Sequence, residues 1–208
     1  MKGSSIPGKL LAAARALIER QPRTANPRDN ASDADPARPA TADEVVDRVE
    51  VVEVDNAEFL VGDLFRRRFN TDTFPEFPHH FVALARCTNG KLIPLGYCHC
   101  GEWQGNGLGG GLVIDERHYR RLPPSIRKAI RQDGGLAELL MREAVARMSG
   151  DLVAIWGYVG DKQAEKADLR VGFHHTSHPH IMVIWRRPGL TDAEKEDWLR
   201  RIIALGPF

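Results

Sequence analysis

Cysteine is scarce in this chain: the three residues, Cys87, Cys98 and Cys100, form an odd set crowded into one stretch. A secreted disulfide framework needs paired cysteines spread over the fold, and a zinc ribbon needs CxxC pairs, so neither is expected. Long apolar runs are missing too. Stretches such as Leu152 to Trp156 fall far short of the ~20 residues of a membrane helix, so no membrane partner is expected. An excess of charge is also lacking, since 29 basic residues face 28 acidic ones for a net charge of +1. No global field is then available to gather nucleic acid, which is not expected as a partner, and recognition by charge has to be local. Met1-Lys2 followed by Leu10 to Ala14 has a faint likeness to a secretory leader, but Arg15, Glu19 and Arg20 interrupt it, which makes the cytoplasm the expected location.

From Gln21 to Glu44 there is no Ile, Leu, Val, Met or aromatic residue, while Pro22, Pro27, Pro36 and Pro39 punctuate Ala, Asp, Asn and Arg. Such a segment cannot offset its ordering entropy by burial. The expected organisation is therefore residues 1–44 as a short helix (Pro7 to Arg20) plus disordered linker, and residues 45–208 as one folded domain.

Within that domain the valines at 49, 51, 52 and 54 predict a strand, and Asp55-Asn56 offers capping side chains to a helix whose buried face carries Val61, Phe65 and Phe69. Phe81 to Arg86 and Leu92 to Cys100 are β-rich and joined through Asn89-Gly90, a hairpin signal. A third antiparallel strand is expected over Leu108 to Ile114. The pattern then changes to helix (Leu136 to Met148), strand (Leu152 to Val159) and helix (Asp161 to Val171), which implies parallel pairing around a crossover. Ile181 to Trp185 predicts a last strand, and Thr191-Asp192-Ala193-Glu194 a capping box. The fold class is α/β: a mixed sheet, mostly antiparallel in its first half, with its chemistry where the strand ending at Ile114 meets the helix starting near Gly135.

Gln132-Asp133-Gly134-Gly135-Leu136-Ala137 opens that helix. A helix start offers free N–H groups and the positive end of the macrodipole, and glycine lets backbone approach an anion. The loop fits the pattern of Gln or Arg, two residues, Gly, one residue, then Gly or Ala, at Gln132, Gly135 and Ala137. Downstream, Asp161, Ala164, Ala167, Asp168, Gly172 and Phe173 fall at the spacings of a second motif that normally begins with Asn and carries Tyr where Asp168 stands. On these two motifs the sequence resembles the GNAT acyltransferase superfamily over about Val45 to Trp185.

That resemblance implies an acyl-CoA, most simply acetyl-CoA, held by its pyrophosphate on Gln132, Asp133, Gly134, Gly135, Leu136 and Ala137. The backbone of Leu112, Val113 and Ile114 would lie along the pantetheine arm in a gap between two splayed strands, and a small-molecule or peptide amine would attack the thioester directly. Asp168 departs from the family's proton-donating Tyr, and an ordinary Asp is ionised at neutral pH unless strongly buried. Tyr158 is therefore the replacement donor, with Asp115 and Glu102 as candidate bases. The family usually runs straight from strand to loop, whereas here residues 115–131 intervene with Arg117, Arg120, Arg121, Arg127, Lys128 and Arg131. These cations are expected either in a solvated helical hairpin or facing the 3′-phosphate of CoA or an acyl-carrier protein. Two alternatives stay open: a CoA- or ligand-binding module without catalysis, and a transferase taking its acyl group from a carrier protein.

Along a strand, Cys98 and Cys100 face one way and His99 the other, so Cys98-His99-Cys100 reads as buried thiols and no metal is expected. His178 and His180 could share a face, and His79 and His80 could line an acceptor pocket beside the proline-rich Phe74 to Pro78.

Overall fold

The computed structural model describes residues 46–148 and 150–208. The readings of a short helix and linker before residue 45 lie outside the described residues. Seven strands form one sheet in the order β1-β2-β3-β4-β5-β7-β6. The first four, β1 (Val46–Val54), β2 (His79–Cys87), β3 (Leu92–Trp103) and β4 (Asn106–Ile114), make an antiparallel meander. Its hairpin at Asn89-Gly90 turns through Gly90 at φ +83, a conformation glycine adopts without steric cost.

Helix α1 (Glu58–Phe69) covers one face of the meander. Its first turn is tied by Asn56, whose Oδ1 accepts from Glu58 N–H at 2.8 Å, one residue ahead of the cap at Ala57. Val61 and Phe65 are its deepest residues and pack on Val82, Leu84, Tyr97 and Val113. The opposite face is covered by α4 (Leu136–Arg147), whose Leu136, Leu140 and Ala144 meet Val51, Phe81, Cys98 and Cys100. Two helices precede α4: α2 (Glu116–Arg121) and α3 (Pro124–Gln132), with Pro124 at a position where its missing N–H costs nothing. Leu122 and Ile130 anchor this pair in the core, so the insertion is an amphipathic helical hairpin with Arg117, Arg120, Arg121, Lys128 and Arg131 exposed and Arg127 half-buried, its Nε enclosed.

Strand β5 (Ala154–Tyr158) runs parallel to β4, as the strand-helix-strand alternation predicts. The next crossover ends differently. Helix α5 (Lys162–Val171) terminates on Gly172 at φ +109, and the N–H groups of Gly172 and Phe173 both return to the Asp168 carbonyl. The chain then forms the two-residue β6 (His174–His175) and turns back as β7 (Ile181–Trp185), which enters between β5 and β6 antiparallel to both. Helix α6 (Asp192–Leu205) starts with the predicted capping box: Thr191 Oγ1 accepts from Glu194 N–H, and Thr191 N–H donates to Glu194 Oε2 at 2.8 Å. It buries Leu199 and Ile202 against Leu108, Trp156 and Val183 on the α1 side of the sheet.

Candidate functional site

The sheet opens between its two parallel strands. Only Gly107↔Ile155, Leu108↔Trp156 and Gly109↔Gly157 tie β4 to β5, and beyond that point the strands separate. On the closed side the pair is locked by Trp156 Nε1, which donates to the buried Asn106 Oδ1 at 2.9 Å. On the open side, the edge of β4 from Gly110 to Ile114 has no ladder to β5. Backbone polar groups left unpaired along a cleft invite a ligand that pairs with them like a strand. Leu112 and Ile114 are partly buried on the α4 side, and Val113 is 3% exposed on the α1 side.

At the point of separation β4 is bulged. Cys98 pairs with Leu112 and Cys100 with Gly109, so three steps along β4 match two along β3 and the extra residue falls at Gly110-Gly111. His99 causes the fit. Its ring lies on Gly110, where any Cβ would collide with it, and Nε2 accepts from Gly111 N–H at 3.2 Å. Burial holds the His99 imidazole neutral, down to about 3, which keeps Nε2 an acceptor. Phe77 packs on the ring with centroids 4.3 Å apart, and Tyr97 and Phe65 complete the box. Sequence reading missed this bulge, although the run Gly109-Gly110-Gly111 inside a strand was the available signal.

The glycine loop opening α4 is built as its pattern suggests, but its donors divide. Gln132 ends α3. The amides of Asp133, Gly134 and Gly135 donate to Ala129 O, Arg131 O and Ile130 O, so they close the preceding helix. The first bond of the new helix is Leu139 N–H to Gly135 O, which leaves the amides of Leu136, Ala137 and Glu138 as the donors a first turn always lacks partners for. Gly134 and Gly135 sit at φ +95 and +102, so both are required by the backbone whatever binds there.

Asp168 is the finding that changes the sequence reading. It is 7% exposed, and Oδ2 lies against Gly157, where a Cβ would be 3.4 Å away. Gly157 is the last β5 residue joined to β4, so this carboxyl stands at the apex of the opening. Desolvation raises the Asp168 carboxyl to about 7, far above the ordinary carboxylate range. The exception that sequence reading allowed, strong burial, is the one that applies: Asp168 is on the inner face of α5, which packs on α4. Tyr158, one residue on, lies on the other face. Its ring stacks on His180 with centroids 5.7 Å apart and belongs to the cluster around Trp156.

The other candidates are placed elsewhere. Asp115 caps α2, its Oδ1 accepting from Arg117 N–H at 3.0 Å and His118 N–H at 3.2 Å, with His118 Nδ1 3.5 Å from Oδ2. That carboxylate is committed to the cap. Glu102 pairs with Gly107 at the closed end of β4, and its Oε1 is 3.4 Å from Nε2 of His79, which is also held by Glu53 at 2.7 Å. His80 lines no open pocket: it is 4% exposed, with Nδ1 2.7 Å from the Tyr97 hydroxyl and Phe74 stacked over it. Cys98 and Cys100 are buried, and desolvation pushes both thiols up, Cys100 to about 12, which makes them inert. His178 and His180 do face each other, with centroids 6.1 Å apart. Among the described residues there is no group of three or more His, Cys, Asp or Glu suited to a metal ion, and no helix is long and apolar enough to cross a membrane.

No protein-family model matches the chain, and no curated relative matches it by sequence. Among solved structures it is similar to a GNAT family acetyltransferase from Brucella melitensis in complex with acetyl-CoA, at 12% identity over 69% of this chain and 92% of that one, with a TM-score of 0.43. It is also similar to the putative N-acetyl transferase YhhK from E. coli bound to coenzyme A, at 14% identity, 67% and 99% coverage and a TM-score of 0.41. A third is AtaT complexed with acetyl-methionyl-tRNAfMet, at 12% identity, 73% and 99% coverage and a TM-score of 0.35.

Proposed function

We propose that this chain is a GNAT-type N-acyltransferase that moves an acyl group, most simply acetyl, from CoA to an amine. The observation that carries the reading is the single parallel strand pair, opened beyond Gly109 and Gly157, with a bulge at its apex and the next helix starting on two positive-φ glycines. A CoA thioester supplies the activated acyl group. Leu136, Ala137 and Glu138 offer amides to its diphosphate, and the free edge of Leu112, Val113 and Ile114 pairs with its amide-bearing arm.

In the reaction, the C–N bond forms as the C–S bond breaks, the amine releases a proton, and the sulfur gains one. Asp168, at the apex and with its proton held more tightly than an ordinary carboxyl's by desolvation, donates to the departing sulfur. Tyr158 and His180, on the other face of β5, line the side from which the amine arrives.

Binding tests the donor site. Calorimetry with acetyl-CoA is expected to give micromolar affinity for the wild type and none for Ala137→Glu, which sets a carboxylate among the free amides while leaving Gly134 and Gly135 untouched. A negative residue in a first turn favours the helix, so loss of binding would not reflect unfolding. Wild-type protein that binds no CoA, acetylated or longer, would remove the reading.

One observation favours a carrier-protein donor as a second reading. Among the described residues Arg117, Arg121, Arg127, Lys128 and Arg131 have no carboxylate within 4.0 Å, and of the arginines and lysine of this hairpin only Arg120 is ion-paired, at 3.9 Å to Glu116. Reversing Arg127, Lys128 and Arg131 to Glu is expected to raise KM for an acyl-carrier protein by at least about tenfold and lower its salt dependence. If KM for free acyl-CoA rises equally, the cations serve the nucleotide phosphate instead.

A further inference from the structure

The proposed donor site already holds an anion of its own. Glu138, the third residue of α4, has a side chain only 13% exposed that folds back over Gly134, where a Cβ would collide with both carboxylate oxygens. Arg142 Nη1 lies 3.6 Å from Oε1, and Arg170 Nη1 lies 3.6 Å from Oε2. Oε2 is enclosed and accepts no hydrogen bond. An enclosed carboxylate oxygen with a guanidinium at ion-pair distance but no donor on it is poorly satisfied. Both arginines also have a second hold close by: Arg142 Nη2 donates to Asp133 Oδ2 at 2.6 Å, and Arg170 Nη1 to Gly134 O at 3.5 Å.

We infer that Glu138 is a built-in anion that screens the donor-phosphate site, competing with an incoming diphosphate for Arg142 and Arg170 beside the first turn of α4. The inference rests on the acyl-CoA reading above and adds a selectivity to it. An anion that brings only phosphate has to displace Glu138 with nothing in return. A CoA thioester also pairs along the open edge of β4, and that pairing offsets the displacement. The carboxylate thus rejects inorganic phosphate and pyrophosphate while admitting the longer ligand. Arg142 and Arg170 pass from Glu138 to the phosphates when it binds.

Calorimetry on the full chain with CoA and, separately, with inorganic pyrophosphate tests this. Glu138→Gln is expected to bind CoA about tenfold more tightly than wild type, because a repelling charge a few ångström from the diphosphate is gone. It is also expected to bind pyrophosphate, which wild type does not. Glu138→Ser is expected to behave in the same way, so a folding fault in one variant does not decide the result. If wild type binds CoA and both variants bind it equally or less well, the screening role is overturned and the donor site stands. Variants that bind pyrophosphate while no protein binds CoA would support the screen and overturn the acyl-CoA reading. Absence of all binding would overturn both.

Discussion

Replacing Asp168 with Asn is expected to lower kcat by about a hundredfold or more while making the protein more stable above pH 7. The two effects share one cause. Desolvation against Gly157 raises the carboxyl from 3.8 to about 7, so the folded protein keeps a proton that the unfolded chain releases. A group raised in this way contributes its full stability below pH ~3.8 and loses it as the pH climbs toward 7. The shift sets an upper bound on the order of 4 kcal/mol for the cost of ionised Asp168 at pH 8, which Asn removes. Thermal melts of Asp168→Asn should therefore exceed wild type by several degrees at pH 8 and converge with it near pH 4. His99 acts in the opposite sense. Its imidazole is depressed to about 3 from 6.5, so its contribution is present above pH 6.5 and lost as the pH falls toward 3. In wild type the two slopes oppose between about pH 4 and 6.5; in Asp168→Asn only the His99 slope is left. Tyr158→Phe is the control on the other face. The Tyr158 hydroxyl lies across the sheet from the apex where Asp168 stands, and its loss is expected to change kcat by at most about threefold. A hundredfold loss in Tyr158→Phe with full activity in Asp168→Asn would reverse the assignment.

How far the site could be read from sequence depends on whether each feature is local. The β4-α4-β5 crossover was legible because period and glycine placement are local, and they leave one topology with a parallel pair. Gly172-Phe173 was placed by the spacing of the second motif, and the structure makes it a left-handed cap followed by a buried Phe. The character of Asp168 was not, because its proton affinity is set by α5 settling on Gly157, a contact between elements. The role of Asp115 also turned on its surroundings. As the residue after a strand it suits either a base or a cap, and the helix that follows at Glu116 takes one of its oxygens, Oδ1, as the acceptor of two first-turn N–H groups. That the glycine loop opens α4 was legible, yet which of its amides lack a helix partner depends on α3 ending directly before it, and those are the amides of Leu136 to Glu138. Glu138 carried no signal, since a Glu in a first turn is favourable in any helix.

Gly110 is expected to be the least replaceable residue of the strand, and the reason is His99. A Cβ at Gly110 would overlap the His99 ring, and that ring has no room to retreat because Phe65, Phe77 and Tyr97 surround it. Gly110→Ala must therefore expel the imidazole or flatten the bulge, and either breaks the bond from Gly111 N–H to Nε2 in a buried setting. Overpacking and one lost buried hydrogen bond together cost about 2–5 kcal/mol, a fall in Tm of roughly 5–15 °C for a domain of this size. His99→Ala alone removes the same bond and opens a cavity, at a similar cost. The double variant discriminates between the possible causes. If the bulge is held by ring on glycine, Gly110→Ala and His99→Ala relieve one another, and the pair is expected to be at least about 1 kcal/mol more stable than the sum of the singles. Additive losses measured by denaturant melts would mean that Gly110 serves the backbone alone. On the proposed reading, acyl transfer should follow the bulge rather than stability: the double variant recovers part of the lost stability but not the rate, because the apex beside Asp168 has lost the residue that shapes it.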